Sequence, residues 1–173
     1  MRELKTQRLL LRRIRQEDAR RIFECWASDP EVTPYVTWDP HDSPAVTRSV
    51  VDQWLTAYER PDTYRWGICL SDTGELIGMI DVVGYREGCP VIGYCLGRAY
   101  WNRGYATEAL RAVTEELFAA GYPTLLIEAV DENIGSNRVI RKNGFEFTGS
   151  RLPGEGERKS WKRINSYRLD RNQ

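Results

Sequence analysis

The sequence predicts an α/β (α+β) fold, with a mixed central sheet of about seven strands packed against about four helices. Residues 91–96 form a predicted buried strand that leads through a loop into a helix with apolar side chains at helical spacing. Residues 124–130 form a second buried strand, followed by a short helix. Residues 64–70 and 75–83 alternate around a turn, which is typical of an antiparallel hairpin. Strand-helix units beside a hairpin indicate a sheet with both parallel and antiparallel pairs.

The same periodicity and turn signals predict the remaining elements in chain order. The helix after the strand at 91–96 ends at Gly121 and Pro123, which stop helices. The helix in the region of residue 50 begins after Ser43, with Pro44 in its first turn. The further predicted elements are a strand at 8–12, helices at 16–26 and 43–59, and a last pair of strands at 145–149 and 160–169.

Length and composition restrict the class of protein. We expect a single domain over residues 1–173, because 173 residues suit one sizeable core. Lysine plus arginine equal aspartate plus glutamate at 25 each, so no net charge favours nucleic acid or a membrane. Four scattered cysteines and one histidine, His41, predict neither a metal site nor a disulfide framework. No run approaches the roughly 20 apolar residues of a membrane span, and the scattered cysteines fit reduced thiols in the cytoplasm. A monomer or a homodimer is expected.

The loop before the third helix has the features of a phosphate-binding cradle. It reads Trp101-Asn102-Arg103-Gly104-Tyr105-Ala106-Thr107. Gly104 allows the backbone to approach a ligand, and the first amides of the following helix have no partner within that helix. The positive end of the helix dipole lies at the same place. The loop therefore predicts binding of an anion such as a pyrophosphate.

A second segment supports the same interpretation. Asn133 and Ser136 begin the short helix after the strand at 124–130, although helix capping alone would also explain both residues. Together, the two segments resemble the acetyl-CoA-binding core of the GNAT superfamily of acyl-CoA N-acyltransferases. The family pattern Gln/Arg-x-x-Gly-x-Gly/Ala appears here as Trp101-x-x-Gly104-x-Ala106. That tryptophan, and the opening at residues 4–12, are similar to the branch of ribosomal-protein N-terminal (Rim-type) acetyltransferases.

The resemblance implies direct transfer of an acetyl group from acetyl-CoA to an amine in a ternary complex, without a metal. It also implies that two strands splay at the cofactor site and that an amide near residues 94–96 polarises the thioester. Asn133 would contact the pantetheine or the substrate-side carbonyl, and Ser136 would protonate the departing thiolate. The predicted cofactor-binding residues are Cys95, Leu96, Gly97, Asn102, Arg103, Gly104, Tyr105, Ala106, Thr107, Asn133 and Ser136, and the predicted catalytic residues are Ser136, Tyr94 and Asp81.

No residue is identified from the sequence as the proton acceptor. The Rim-type branch often carries a glutamate where this chain has Val91, and the other candidates are Asp81, Glu87, His41 and Tyr94. Keeping a lysine side chain neutral at neutral pH costs about 4 kcal/mol, against about half a kcal/mol for an α-amino group. An enzyme without a strong base therefore favours a protein or peptide α-amine.

Three other functions stay open from the sequence. A small-molecule amine, such as a polyamine, an aminoglycoside or an amino-acid-like amine, is the alternative acceptor. A non-catalytic acyl-CoA-binding regulator is a further alternative, favoured by Val91 alone. A nucleotide-phosphate module is weaker, because the loop lacks the Gly-Lys-Ser/Thr ending of a P-loop.

Overall fold

Eight strands and four α-helices make up the fold in a computed structural model that describes residues 1–171. The expected domain range of 1–173 includes residues 172 and 173, which lie outside the described part. The elements are β1 (Leu4–Lys5), β2 (Leu9–Arg12), α1 (Ala19–Ile22), α2 (Pro44–Ala57), β3 (Arg65–Leu70), β4 (Leu76–Arg86), β5 (Cys89–Leu96), α3 (Tyr105–Ala119), β6 (Thr124–Val130), α4 (Ile134–Lys142), β7 (Glu146–Arg151) and β8 (Ile164–Asp170).

The strands form one mixed sheet in the order β1-β2-β3-β4-β5-β6-β8-β7. Every neighbouring pair is antiparallel except β5 and β6, which are parallel. This confirms the predicted mixed sheet, and β1 adds one strand to the expected seven. β1 has only two residues, Leu4 and Lys5, which is too short to show an alternating pattern.

The parallel pair is joined at only two positions. Val91 pairs with Leu126 and Ile92 with Ile127, after which β5 and β6 separate. β6 continues to Val130 with β8 as its partner, and β5 continues to Leu96 with β4 as its partner. The predicted splay is therefore present, and it opens a gap between the carboxyl ends of the two central strands.

Helices cover both faces of the sheet. One core contains Leu110 and Val113 of α3 with Ile80 and Ile92 of the central strands. The other contains Ile22 of α1, Val51 of α2 and neighbouring strand residues such as Met79. Ile80 and Met79 are adjacent in β4, so their side chains point to opposite faces. α1 and α2 thus lie on one face of the sheet, and α3 lies on the other.

Two predicted elements differ from the structure. The helix expected at 16–26 is a 3-10 turn (Gln16–Asp18), the short α1 and a π-helical turn (Phe23–Ala27), which buries Trp26 and Ala27. The last strand begins at Ile164 rather than at 160. Residues before it belong to a loop that contacts the segment between α1 and α2, because Trp161 Nε1 donates to the Pro34 carbonyl at 2.6 Å.

Candidate functional site

The gap between β5 and β6 exposes main-chain groups of β5. Gly97 N–H donates to the Ile77 carbonyl at 2.9 Å, so Gly97 faces β4. Main-chain groups alternate in direction along a strand, so Cys95 also faces β4, whereas Tyr94 and Leu96 face the gap. The Leu96 carbonyl accepts from Trp101 Nε1 at 2.8 Å. Of the predicted stretch 95–97, only Leu96 therefore offers its amide to a ligand in the gap, and Tyr94 offers a second.

The cradle loop has the backbone conformation that an anion site needs. Asn102 and Gly104 both have positive φ angles, +58° and +82°, and Gly104 is the N-cap of α3. Glu108 N–H makes the first helical bond, to the Gly104 carbonyl at 3.1 Å. The preceding amides, those of Tyr105, Ala106 and Thr107, have no acceptor among residues 1–171. These open amides at the helix N-terminus suit a diphosphate.

The start of α4 brings two predicted catalytic residues together. Asn133 is the N-cap, and its side-chain oxygen accepts from Ser136 N–H at 3.0 Å. The Ser136 hydroxyl of α4 lies 2.9 Å from the Tyr94 hydroxyl of β5. Desolvation raises the pKa of Tyr94 to about 12, although the bond to Ser136 lowers it. At neutral pH the pair is therefore fully protonated and can donate a proton, not accept one.

Asp81 does not lie with this hydroxyl pair. It pairs across the strands with Gly93, which precedes Tyr94, so Asp81 and Tyr94 point to opposite faces of the sheet. Asp81 is 6% exposed, and Arg65 donates to its Oδ2 from Nε at 3.0 Å and from Nη2 at 2.8 Å. Burial raises the pKa of Asp81 while Arg65 opposes that rise. Its other oxygen, Oδ1, lies 3.9 Å from the position that a Cβ on Gly93 would occupy, and Val83 Cγ1 lies 2.7 Å from the same position.

The other candidate proton acceptors lie elsewhere. His41 lies in the loop before α2, and its Nδ1 is 2.7 Å from Oγ1 of Thr47 in that helix. Burial lowers the pKa of His41. Glu87 is exposed in the turn between β4 and β5, at the opposite end of β5 from the gap. Val91 is buried against β6 through its pairing with Leu126. Val91 carries no polar side-chain group, and Glu87 lies at the far end of β5 from the gap.

Glu128 is a carboxylate beside the gap that sequence reasoning missed. It follows Ile127, the last residue of β6 that pairs with β5. Its oxygens accept from Arg86, Arg151 and Ser166 at 2.5 to 3.1 Å. These bonds outweigh its desolvation and hold the pKa of Glu128 at about 2. Glu128 is thus a poor proton acceptor, and no sequence motif marks it because its partners come from distant strands.

Asn137 is a second residue that the sequence did not reveal. It is 7% exposed, and its amide nitrogen donates to the carbonyls of Val130 and Asn133 at 2.9 and 2.8 Å. Its side-chain oxygen accepts from Asn165 at 3.0 Å and from the Tyr167 hydroxyl at 2.6 Å. These four bonds fix the first turn of α4, and therefore Ser136, to β6 and β8. The available signal was a polar residue on the inward face of a short helix.

Two features, a membrane-spanning helix and a metal-binding cluster, are absent from the described part of the chain. No helix within residues 1–171 combines the length and apolarity needed to cross a membrane. Within the same residues, no group of three or more histidine, cysteine or acidic side chains could hold a metal ion.

Comparisons with known proteins agree with this architecture. A family model described as an acetyltransferase (GNAT) domain matches residues 8–146. The uncharacterized N-acetyltransferase YoaA of Bacillus subtilis is 34% identical over 149 residues, covering 84% of each chain. The uncharacterized N-acetyltransferase p20 of Bacillus licheniformis is 30% identical over 156 residues, covering 86% of this chain and 85% of that protein.

Solved structures show the same fold at lower identity. A GNAT-family acetyltransferase from Bacillus anthracis superposes with a TM-score of 0.84 at 23% identity, covering 98% of both chains. RimL, a ribosomal L7/L12 α-N-protein acetyltransferase solved with coenzyme A, has a TM-score of 0.86 at 19% identity and the same coverage. MccE, a microcin C7 self-immunity acetyltransferase solved with acetyl-CoA and AMP, has a TM-score of 0.82 at 16% identity, covering 95% and 93%.

The domain match covers most of the chain, and the two Bacillus relatives align over more than four-fifths of it. Together with a splayed central sheet and an open-amide cradle, these matches mean that the chain belongs to the GNAT acetyltransferase family and is an N-acetyltransferase of that type.

Proposed function

We propose that this N-acetyltransferase moves the acetyl group of acetyl-CoA directly to the α-amino group of a protein or peptide. The observation that carries the proposal is the gap between β5 and β6. Two free amides, those of Tyr94 and Leu96, face it, and the Tyr94–Ser136 hydroxyl pair lies beside it. We further propose that residues 1–173 act as one domain, as a monomer or homodimer.

Acetyl-CoA fits the groups that the chain offers. The open amides of Tyr105, Ala106 and Thr107, with the positive dipole end of α3, suit the diphosphate. The amides of Tyr94 and Leu96 suit the amide groups of an extended pantetheine, which would act as a strand in the gap. The free side-chain nitrogen of Asn133 at the start of α4 offers a further donor. RimL with coenzyme A and MccE with acetyl-CoA show that such ligands bind proteins of this fold.

Acetyl-CoA supplies an activated thioester whose carbon–sulfur bond breaks as the new carbon–nitrogen bond forms. An amide of β5 that points at the thioester oxygen stabilises the negative charge that develops there, which typically contributes about 3 kcal/mol. In this proposal the Ser136 hydroxyl gives a proton to the leaving sulfur, and the Tyr94 hydroxyl, 2.9 Å from Ser136 Oγ, restores that proton. The high pKa of Tyr94 keeps that pair protonated.

Among the candidates that the sequence offered, we propose Asp81 of β4 as the acceptor of the proton that leaves the amine, from the opposite face of the sheet to Tyr94 and directly or through water. Asp81 Oδ1 lies over Gly93 and is held there because Arg65 binds the other carboxylate oxygen. Burial raises the pKa of Asp81 although Arg65 opposes that rise, so Asp81 is a stronger base than Glu128, whose pKa is about 2. Because Asp81 is ion-paired on the opposite face of the sheet from Tyr94 and Glu128 has a low pKa, the site suits an amine that is already partly neutral. An α-amino group meets that condition at neutral pH, and a lysine side chain does not.

Two measurements test the proposal in sequence. Calorimetric titration with acetyl-CoA and with CoA first establishes cofactor binding. Thiol release is then followed with two matched peptides, one with a free α-amine and no lysine, the other N-terminally blocked with one lysine. We expect faster transfer to the α-amine at neutral pH. Faster transfer to lysine would contradict the acceptor assignment, and transfer only to polyamines or aminoglycosides would identify a small-molecule enzyme.

A substitution at Asp81 separates its chemical role from its structural one. Asp81→Asn preserves the shape and one acceptor for Arg65, so we expect a slow enzyme whose rate recovers as pH rises and the amine deprotonates unaided. A rate that stays low at every pH would mean that Asp81 only supports the sheet. Cofactor binding without transfer to any amine would instead support the acyl-CoA-binding regulator.

A further inference from the structure

A carboxylate stands in the first turn of the cradle helix, where it opposes an anionic ligand. Glu108 is the fourth residue of α3, three positions after the first open amide. An unpaired negative charge there would repel a diphosphate bound at the same helix end. A cationic side chain that pairs with Glu108 without covering the open amides would remove this repulsion.

Glu108 is paired with the turn between β1 and β2. Its Oε1 accepts from Thr6 Oγ1 at 2.6 Å and from Arg8 N–H at 2.8 Å, and its Oε2 accepts from Arg8 Nε at 2.7 Å. Desolvation opposes ionisation, but these bonds outweigh it and hold the pKa of Glu108 below its ordinary value. Glu108 is thus a carboxylate whose charge is matched by Arg8.

The same arginine also holds the cradle loop. Arg8 Nη1 donates to the Arg103 carbonyl at 2.9 Å, and the guanidinium carbon lies 4.7 Å from the centre of the Tyr105 ring. The peptide between Arg103 and Gly104 is trans, so its N–H points away from its carbonyl. Because the carbonyl points at Arg8, Gly104 N–H points away from Arg8, out of the loop.

We infer that Arg8 is a positioning residue for acetyl-CoA: it cancels the charge of Glu108 and aims Gly104 N–H at the diphosphate. The inference rests on the proposed cofactor binding at the cradle. It assigns to the β1–β2 turn, more than ninety positions away in sequence, part of the affinity for the phosphates. Arg8 acts through the loop and through Glu108, so its effect should disappear for a substrate without phosphates.

Binding and kinetics with two thioesters test this directly. The probes are acetyl-CoA and acetyl-pantetheine, which has the same thioester but no diphosphate. For Arg8→Ala we expect the Kd and KM for acetyl-CoA to rise about 10- to 100-fold, as for loss of charge-assisted bonds. The KM for acetyl-pantetheine and kcat should change less than about twofold. Arg20→Ala is the matched control, because Arg20 is an exposed arginine of α1 that pairs with Glu24, one turn further along the chain.

A double variant distinguishes charge cancellation from simple support of the fold. Arg8→Ala with Glu108→Gln removes the carboxylate that Arg8 no longer neutralises, so we expect tighter acetyl-CoA binding than in Arg8→Ala alone. Binding no tighter than in the single variant would overturn the charge-cancelling role. An equal loss for both thioesters would overturn the positioning role, because a folding defect affects both.

The outcomes also separate this inference from the proposed function. A wild-type protein that does not bind acetyl-CoA contradicts the proposed function itself. A wild-type protein that binds, with Arg8→Ala binding equally well, overturns only the inference. If Arg8→Ala does not fold, Arg8→Lys serves instead, since lysine keeps the charge but cannot contact both Glu108 and the Arg103 carbonyl. Wild-type affinity in Arg8→Lys would then overturn the aiming role.

Discussion

Asn137 offers the sharpest test of how the start of α4 is held. The change is Asn137→Ala, which deletes a buried side-chain amide with five hydrogen bonds within residues 1–171, the weakest of them to the Asp131 carbonyl at 3.5 Å. The Val130 carbonyl keeps the Asn133 N–H as a partner, and the Asn133 carbonyl keeps the main-chain N–H of residue 137. The Tyr167 hydroxyl, in a residue that is 1% exposed, loses the only hydrogen-bond partner that it has among the described residues.

The structure sets the size of the effect. Burying one hydroxyl without a partner costs about 1 to 3 kcal/mol, and each of the other lost bonds adds about 0.5 to 1 kcal/mol. We therefore expect Asn137→Ala to lower the free energy of unfolding by about 3 to 5 kcal/mol. Ser136 is the neighbouring residue in the same helical turn, so the Ser136–Tyr94 contact should loosen and kcat should fall as well.

Urea unfolding followed by tryptophan fluorescence measures the change, with equal m-values as the check on two-state behaviour. A double-mutant cycle with Tyr167→Phe isolates the orphaned hydroxyl. Tyr167→Phe should destabilise the wild type by about 1 to 2 kcal/mol and should cost nothing, or stabilise, in the Asn137→Ala background. Additive effects, or a loss under about 1 kcal/mol for Asn137→Ala, would refute the proposed anchoring of α4.

Three further predictions follow from the site. Ser136→Ala should lower kcat about 10- to 100-fold with little change in the KM for acetyl-CoA, and Tyr94→Phe should also lower kcat. Steady-state thiol release measures both variants, and an unchanged kcat in Ser136→Ala would exclude the proton-donor role. Gly104 has a φ of +82°, which strains an alanine, so Gly104→Ala should destabilise the protein by about 1 to 2 kcal/mol in urea unfolding. The same variant should weaken acetyl-CoA binding. An unchanged free energy of unfolding would contradict the expected backbone strain. The pKa of Glu128 is about 2, below the ordinary pKa of a glutamate. Ionised Glu128 therefore contributes its full stabilisation at a pH above that ordinary pKa, and this stabilisation is lost as pH falls towards 2. The free energy of unfolding of Glu128→Gln should therefore fall less than that of the wild type between about pH 5 and about pH 2.5, by about 1.5 kcal/mol after allowance for solvent screening. An identical fall in both proteins would contradict this prediction.

Much of the site could be predicted because its signals are local. A glycine ahead of an amphipathic helix, and an asparagine three residues before a serine at another helix start, are patterns within a few positions of the chain. The structure places Gly104 with a left-handed backbone and Asn133 as the N-cap of α4. The predicted roles of these residues in acetyl-CoA binding and transfer stay predictions.

Pairing between distant residues was not available from the same patterns. The sequence placed Asp81 with Ser136 and Tyr94 as catalytic residues, but strand register puts it on the opposite face and binds it to Arg65. A register is set by the whole sheet, and a shift of one residue would reverse every side chain of the strand. No local motif carries that information.

The sequence by itself determined the fold class, the family resemblance and the positions of both helix starts, because hydrophobic period, turn residues and capping residues act over one or two turns. Only the tertiary structure decided which β5 amides face the gap, because Gly97 N–H is satisfied by the Ile77 carbonyl and alternation then fixes its neighbours. It also decided that Arg8 reaches the cradle, because the β1–β2 turn and α3 meet only when the sheet is assembled.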